Sequence, residues 1–229
     1  MNRIYNTTKL IEEMNRYYEA RASWHDQYMS YKSNKNMEKQ LGPIIEIIEE
    51  KIVGKKVLEI ACGTGNWTEV LARRAASEVA VDISPAVLKI AKRKLSGCDN
   101  VTFIQGDAYN LDCIGDSFDI IFSADWWSHI PKGILPTFLD SSMKKLNPGS
   151  KVITIDMTMG DYFKQEPCYY DADNNRISRR GLPDGSEFQV IKNFQEEEEI
   201  RLILGDYGKT VEYHEFPDLK RWMVMFEKK

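Results

Sequence analysis

Residues 57–82, VLEIACGTGNWTEVLARRAASEVAVD, decide the fold of this 229-residue chain. They begin with a short apolar run, pass through a glycine-containing turn into an amphipathic stretch, and end with a second apolar run that closes on an acid. Strand, helix and strand in this order predict two parallel strands joined by a right-handed crossover. The glycines in the turn allow backbone to pass close to a ligand at the carboxyl edge of the first strand.

The same alternation continues to residue 157. The next segments are a helix-like PAVLKIAKRKL, the apolar VTFIQ, the apolar FDIIFSA, a helix-like GILPTFLDSSMKKL that is expected to stop at Asn147-Pro148-Gly149, and the apolar KVITIDM. Five apolar strands separated mainly by helices are typical of an α/β protein whose parallel sheet is covered on both faces.

The segments on either side of this core differ from it. Residues 1–50 have a helical pattern rich in tyrosine, and residues 157–229 contain a polar insert, a hairpin signal, a helix near Glu196 and two last strands. No internal repeat or low-complexity linker separates them. We therefore predict one domain over 1–229, in which 1–50 form a helical lid, 51–156 the cofactor-binding core, and 157–229 a substrate-side hairpin and closing strands.

Composition argues against several classes of function. The formal net charge is -4, from 31 Lys and Arg against 35 Asp and Glu, so the chain lacks the excess of cations that a nucleic-acid partner requires. Neither a bilayer-spanning apolar stretch nor a secretory signal pattern is present, which predicts a cytoplasmic protein with no membrane partner. The cysteines are too dispersed for a disulfide framework or a structural zinc site, so we expect no bound metal. We also expect a monomer or a homodimer.

Acids follow the second and third predicted strands. Asp82 lies about twenty residues after the glycine turn, where a carboxylate can accept hydrogen bonds from ribose hydroxyls, and Asp107 closes VTFIQ. These positions predict a nucleotide-type cofactor at one edge of the sheet. A nicotinamide-dependent oxidoreductase stays open as an alternative, although Thr68 stands where the dinucleotide fingerprint has its third glycine. A cofactor-binding module without catalysis also stays open.

The segments VLEIACGTGNWTEVLARR, VAVDIS, FIQGDAYNL, FDIIFSADWWSHIP and LNPGSKVITID resemble the successive motifs of class I S-adenosylmethionine (SAM)-dependent methyltransferases. The resemblance implies a Rossmann-like, mostly parallel seven-stranded sheet with helices on both faces, and SAM as the cofactor. One departure is Ala61, which stands where many members have the first glycine of the turn.

The resemblance also implies a cofactor-binding set at the strand ends. The backbone of the glycine turn would hold the methionine moiety, the second strand end the ribose and adenine, and the third the adenine. The implied set is Ala61, Gly63, Gly65, Asp82, Ile83, Asp107, Ala108 and Ala124. Tyr17 and Arg21 lie four residues apart on one helix face, from which both can close over the cofactor carboxylate.

A second resemblance covers nearly the whole chain. YYEARASWHDQY, SADWWSHIP and RRGLPDGSEFQVIKNF are similar to segments of the phosphonate O-methyltransferase of dehydrophos biosynthesis and its relatives. It implies O-methylation of a small-molecule anion such as a phosphonate or carboxylate. N-methylation of a small amine is the alternative, and it would favour an acidic acceptor pocket.

The hairpin signal fixes a register. Leu182 to Ser186 fit a three-residue loop with glycine in the left-handed region, and this pairs Arg180 with Phe188. Arg176, Arg180 and Lys192 would then share one face. We expect Arg180 and Lys192 to bind the anion. The second resemblance also matches these two positions.

Aromatic side chains complete the expected acceptor site. Tyr28 or Tyr31 from the lid would close the cage around the anion. His129 would act as general base for a hydroxyl or amine acceptor, whereas an acceptor that is already ionised needs no base. Trp126 and Trp127 follow the fourth strand and either line an acceptor pocket or fill the core, and one of them is expected in the core.

Overall fold

The structure is a computed structural model, and it describes residues 2–24, 34–115 and 117–229. Seven strands form one sheet in the order β3-β2-β1-β4-β5-β10-β9, and three form a second sheet in the order β6-β7-β8. The strands are β1 (Lys56–Ile60), β2 (Ser77–Asp82), β3 (Val101–Gln105), β4 (Phe118–Ala124), β5 (Leu146–Met157), β6 (Cys168–Tyr170), β7 (Arg176–Gly181), β8 (Glu187–Ile191), β9 (Gly208–Phe216) and β10 (Arg221–Lys228).

Helices lie before, between and after these strands. They are α1 (Asn2–Ala20), α2 (Asn34–Ile52), α3 (Asn66–Ala72), α4 (Pro85–Lys94), α5 (Leu135–Met143), α6 (Asp161–Gln165) and α7 (Glu197–Leu204). Short 3-10 turns cover Ala22–Trp24, Trp127–His129, Lys132–Ile134 and Pro217–Leu219. Among the described residues, no helix combines the length and apolar character needed to cross a bilayer.

The large sheet is parallel through β3, β2, β1, β4 and β5, and β10 pairs antiparallel with both β5 and β9. Apolar side chains cover both faces: α2 and α3 pack on one, and α5 and α7 pack on the other. This confirms the predicted Rossmann-like, mostly parallel seven-stranded sheet. Because β1 to β5 run in one direction, their carboxyl ends meet at one edge.

One strand boundary was predicted wrongly. We expected Asn147-Pro148-Gly149 to precede the fifth strand, but β5 begins at Leu146 and contains them. Gly149 adopts a φ of 79°, and the pairing with β4 shifts register between Phe118 and Ile120. A local irregularity of this kind lets a strand continue through residues that otherwise signal a stop.

The hairpin register was predicted correctly. Arg180 pairs with Phe188, and the backbone N–H of Leu182 donates to the carbonyl oxygen of Ser186 at 2.8 Å. Helix α1 packs on this small sheet through a buried cluster of Leu10, Met14, Tyr17, Ile177, Leu182, Val190 and Ile191. The hairpin and α1 therefore form one unit beside the large sheet.

Candidate active site

A cavity of about 1320 Å³ lies at the carboxyl edge of the parallel strands. Its walls come from the strand ends, from α1, from β7 and the residues after β8, and from the segment that begins at α6. The volume exceeds the roughly 300–1,000 Å³ of typical small-molecule sites. The space is large enough for a cofactor and a second small molecule together.

The turn after β1 has an unusual backbone. Ala61, Gly63 and Gly65 adopt φ angles of 59°, 55° and 80°, all in the left-handed region. Ala61 and Gly63 line the cavity, so the backbone itself forms this wall. Gly65 does not line it: a Cβ there would lie 2.9 Å from Leu95 Cδ1, so this glycine permits close packing against the end of α4.

Asp82 connects the turn to β2. Its Oδ2 accepts a hydrogen bond from the backbone N–H of Gly63 and its Oδ1 one from that of Ser84, each at 2.9 Å. Burial raises the pKa of Asp82, and these N–H donors oppose the rise. Each carboxylate oxygen has a second lone pair, so the side chain can still accept hydrogen bonds from a ligand in the cavity.

The other implied cofactor residues surround the same cavity. Asp107 Oδ1 accepts from the backbone N–H of Tyr109 at 2.9 Å, which fixes the turn after β3. Tyr17 and Arg21 are buried, and Arg21 Nη1 donates to the Tyr17 hydroxyl at 3.0 Å. The implied residues that line the cavity are Tyr17, Arg21, Ala61, Gly63, Asp82, Ile83, Asp107, Ala108 and Ala124.

Two buried acids lie beside the glycine turn. Glu59 lines the cavity and accepts a hydrogen bond from the Thr68 hydroxyl, and burial raises the pKa of Glu59 to about 7. Burial and the neighbouring Glu59 raise the pKa of Glu78 still further. The pair therefore keeps at least one proton at neutral pH, because two adjacent buried carboxylates cannot both be charged cheaply.

His129 lies on the cavity wall with both ring nitrogens in hydrogen bonds. Nδ1 is 2.6 Å from the carbonyl oxygen of Ile191, which can only accept, so Nδ1 carries the proton. Nε2 is 2.9 Å from the Tyr18 hydroxyl and accepts from it. Burial, with Lys192 and Arg180 nearby, lowers the pKa of His129 well below its usual value, so the ring is neutral.

Lys192 forms a buried polar cluster with β5. Its Nζ donates to Ser128 Oγ at 2.6 Å and lies 3.2 Å from Asp156 Oδ1. Asp156 also accepts from the backbone N–H groups of Ser128 and Met157. Burial lowers the pKa of Lys192, and Asp156 is the main opposing influence.

The two hairpin arginines differ in their surroundings. Arg176 is buried against Glu166, with Nη1 2.9 Å from Oε2, and it does not line the cavity. Arg180 does line it, with its Nε 3.5 Å from Glu166 Oε1 and its side chain 17% exposed. Arg176 therefore positions Glu166, and Arg180 faces the cavity.

The aromatic residues divide between core and cavity. Trp127 is 1% exposed and packs against Phe138 and Trp222, whereas Trp126 lines the cavity. Tyr28 and Tyr31, which we expected in the anion cage, lie outside the described residues.

Sequence reasoning missed four residues of this site: Tyr18, Asp125, Asp156 and Glu166. Asp125 directly follows β4 and Asp156 is the last residue but one of the neighbouring parallel strand β5, and a place at a strand end had already selected Asp82 and Asp107. Tyr18 and Glu166 carry no comparable local signal, because their roles depend on partners distant in the sequence.

Comparisons with known proteins bear on this geometry. A family model described as a methyltransferase domain matches residues 57–149. Demethylmenaquinone methyltransferase of Clavibacter sepedonicus is 32% identical over 105 residues, which are 44% of this chain and 41% of that protein. A probable phthiotriol/phenolphthiotriol dimycocerosates methyltransferase 2 of Mycobacterium ulcerans is 36% identical over 100 residues, 42% of this chain and 37% of that protein. The chain thus spans about two fifths of the length of these relatives.

Solved structures match over more of the chain. The DhpI–SAH complex has a TM-score of 0.77 and 27% identity, and it covers 96% of this chain and 97% of its own. The DhpI–SAM–HEP complex has a TM-score of 0.76 and 29% identity, covering 94% and 96%. PH0226 of Pyrococcus horikoshii OT3, with a TM-score of 0.69 and 20% identity over 86% and 92%, shares the fold. Residues 57–149 therefore match a methyltransferase domain, and the chain has the Rossmann-like fold of the class I, SAM-dependent methyltransferases.

Proposed function

We propose that this protein methylates an oxygen atom of a small organic anion, such as a phosphonate or carboxylate, with SAM as the methyl donor. SAM supplies an electrophilic methyl group on a sulfonium. The described residues fit this cofactor: a backbone-lined turn, a carboxylate with spare lone pairs and a buried Tyr17–Arg21 pair surround one cavity. The same cavity continues to Arg180 and Lys192, where a second molecule has room.

The observation that carries the proposal is the hydrogen bonding of His129. Its Nδ1 proton is donated to Ile191 and its Nε2 lone pair is taken by the Tyr18 hydroxyl. A general base needs a lone pair within reach of the proton that it removes. His129 is already committed on both sides, which favours an acceptor that arrives ionised.

Arg180 and Lys192 are suited to bind such an anion. An ammonium has three donors, and among the described residues Ser128 and Asp156 take two from Lys192, which leaves one for an acceptor oxygen. Charge-assisted bonds from two cations fix the orientation of a phosphonate or carboxylate. Holding the nucleophilic oxygen in place lowers the entropic part of the barrier, and the buried walls exclude water.

The similarity to DhpI supports the same substrate class. DhpI, a phosphonate methyltransferase, has been solved with SAM and HEP, and that complex matches 94% of this chain. The curated relatives match less than half of this chain, so they bear on the reaction and not on the acceptor.

The test replaces each cation in turn and measures SAH formation across a panel of phosphonates, carboxylates and amines. Losing a hydrogen bond from a charged group costs about 1.5–3 kcal/mol, so Arg180→Ala and Lys192→Ala should each lower kcat/KM about ten- to hundredfold. SAH affinity, measured by calorimetry, should change little.

The matched controls are Arg74→Ala and Lys209→Ala, which remove exposed cations that do not line the cavity. Both should behave like the unaltered protein. A preference of the unaltered protein for neutral amines, or full activity of both cavity variants on their best acid, would contradict the proposal.

A further inference from the structure

Asp125 has a strained backbone at the edge of the cavity. It directly follows β4 and adopts a φ of 53°, a region that residues other than glycine rarely occupy. Its N–H donates to the carbonyl oxygen of Ile155 at 2.8 Å, which holds this conformation against the neighbouring strand. Strain of this kind is found where a side chain must be placed for function.

The carboxylate of Asp125 accepts few hydrogen bonds for a group so largely buried. The side chain lines the cavity and is 19% exposed, and Oδ1 is shielded from solvent yet accepts no hydrogen bond from the described residues. Arg221 forms an ion pair with this carboxylate, and its Nη2 lies 3.5 Å from Oδ1. Burial raises the pKa of Asp125 and Arg221 opposes the rise, so a ligand that donates a hydrogen bond would stabilise the charged form.

The neighbouring acid is different. Asp156 is fully buried and accepts from Lys192 and from two backbone N–H groups. The charge of Lys192 acts on both acids, but its hydrogen bond goes to Asp156. This wall of the cavity therefore presents a cation and, beside it, a carboxylate that still has acceptor capacity.

We propose that Asp125 is a specificity-determining residue that accepts a hydrogen bond from a hydroxyl or ammonium group of the methyl acceptor, while Arg180 and Lys192 hold its anionic end. The inference rests on the proposed function and narrows it to small acids that also carry a hydrogen-bond donor. A site built around such a donor discriminates strongly against analogues that lack it, because the buried acceptor is then left unpaired.

The experiment measures binding of matched acids to the SAH-loaded protein by calorimetry. The probes are ethylphosphonate, 2-hydroxyethylphosphonate and 2-aminoethylphosphonate, with propionate, 3-hydroxypropionate and β-alanine as the carboxylate series. The unaltered protein should bind the hydroxyl or the ammonium compound at least about tenfold more tightly than the plain acid.

Two variants separate charge from backbone strain. Asp125→Gly removes the carboxylate and fits a φ of 53° without strain, so it should abolish the discrimination. Asp125→Asn keeps an acceptor oxygen, so it should retain a preference for the hydroxyl and lose one for the ammonium. Asn174→Gly is the control, since Asn174 has a φ of 59° in an exposed turn outside the cavity.

The outcomes distinguish this inference from the proposed function. Equal binding within each series, or discrimination that survives in Asp125→Gly, would overturn the role of Asp125 and leave anion methylation standing. A loss of SAH affinity with unchanged discrimination would assign Asp125 to the cofactor and overturn it as well. If none of the six acids bound, both proposals would fall.

Discussion

Replacing His129 by glutamine should lower kcat/KM on an anionic acceptor less than about tenfold, the equivalent of one hydrogen bond of about 0.5–1.5 kcal/mol. Glutamine can still hydrogen-bond, but it cannot remove a proton. A histidine acting as general base contributes about 10²–10⁴-fold. A hydrogen-bonding role and a general-base role for His129 therefore predict losses of kcat/KM that differ by at least an order of magnitude.

The burial of His129 also predicts a pH dependence of stability. Its folded-state pKa lies well below the ordinary value near 6.5, so the unfolded chain binds this proton more readily. Stability from this residue is complete above about pH 6.5 and is lost as the pH falls below it. With the folded-state pKa far lower, the loss by pH 5.5 is about 1.4 kcal/mol, and His129→Gln should remove that part.

The assay is a pH profile of kcat/KM for the unaltered protein, His129→Gln and Tyr18→Phe, with urea unfolding at each pH. Tyr18→Phe removes the donor to Nε2 and leaves the bond of Nδ1 to Ile191. It should reduce stability by about 1–3 kcal/mol because a buried acceptor loses its partner. A fall of activity at acid pH that disappears in His129→Gln, together with a loss of a hundredfold or more, would refute this reasoning.

Asp82→Ala should abolish most SAH binding and also loosen the glycine turn, because two N–H groups lose their acceptor. Asp82→Asn should retain more of the SAH affinity and more of the turn structure. Calorimetry measures the affinity, and circular dichroism measures the fold. Gly65→Ala should lower the unfolding free energy by about 1–3 kcal/mol in urea titrations, since its φ is 80° and the new Cβ meets α4. Deleting residues 1–31 should leave a core that binds SAH weakly and melts at a lower temperature, because Leu10, Met14 and Tyr17 leave the cluster under the hairpin. Undiminished SAH affinity and turnover after that truncation would disprove a lid role for this segment.

The fold could be predicted because its signals are local. The five central strands follow from apolar runs, and the hairpin register follows from the residues between Leu182 and Ser186. A turn that needs glycine at φ 85° leaves few alternatives, so the pairing of Arg180 with Phe188 came out correctly. The start of β5 was missed because a register shift overrides the usual meaning of Asn-Pro-Gly.

The sequence also predicted most of the strand-end residues that line the cavity where we propose that the cofactor binds, and Gly65 shows the limit of that prediction. Residues 61–65 all belong to one turn, but only the packing of Leu95 and Ala91 reveals that Gly65 serves the fold rather than the cavity. In the same way, Arg176 shares a strand face with Arg180, yet it is buried in an ion pair with Glu166 and does not line the cavity. The sequence shows which residues share a face but not which of them have found partners.

His129, Arg180 and Lys192 form the part of the cavity that we propose binds the acceptor, and we call this part the acceptor wall. Its hydrogen-bonded partners lie farther apart along the chain than those beside the glycine turn. Asp82 reaches Gly63 over 19 residues, whereas Lys192 reaches Ser128 over 64 and Tyr18 reaches His129 over 111. The glycine turn needs only β1 and β2, but the acceptor wall exists only once α1, the large sheet and the hairpin have packed together. Changes in the hairpin should therefore alter acceptor choice at nearly constant cofactor affinity. Changes in α1 should affect both, since we propose that Tyr17 faces the cofactor, and Tyr18, the next residue, bonds to His129 on the acceptor wall.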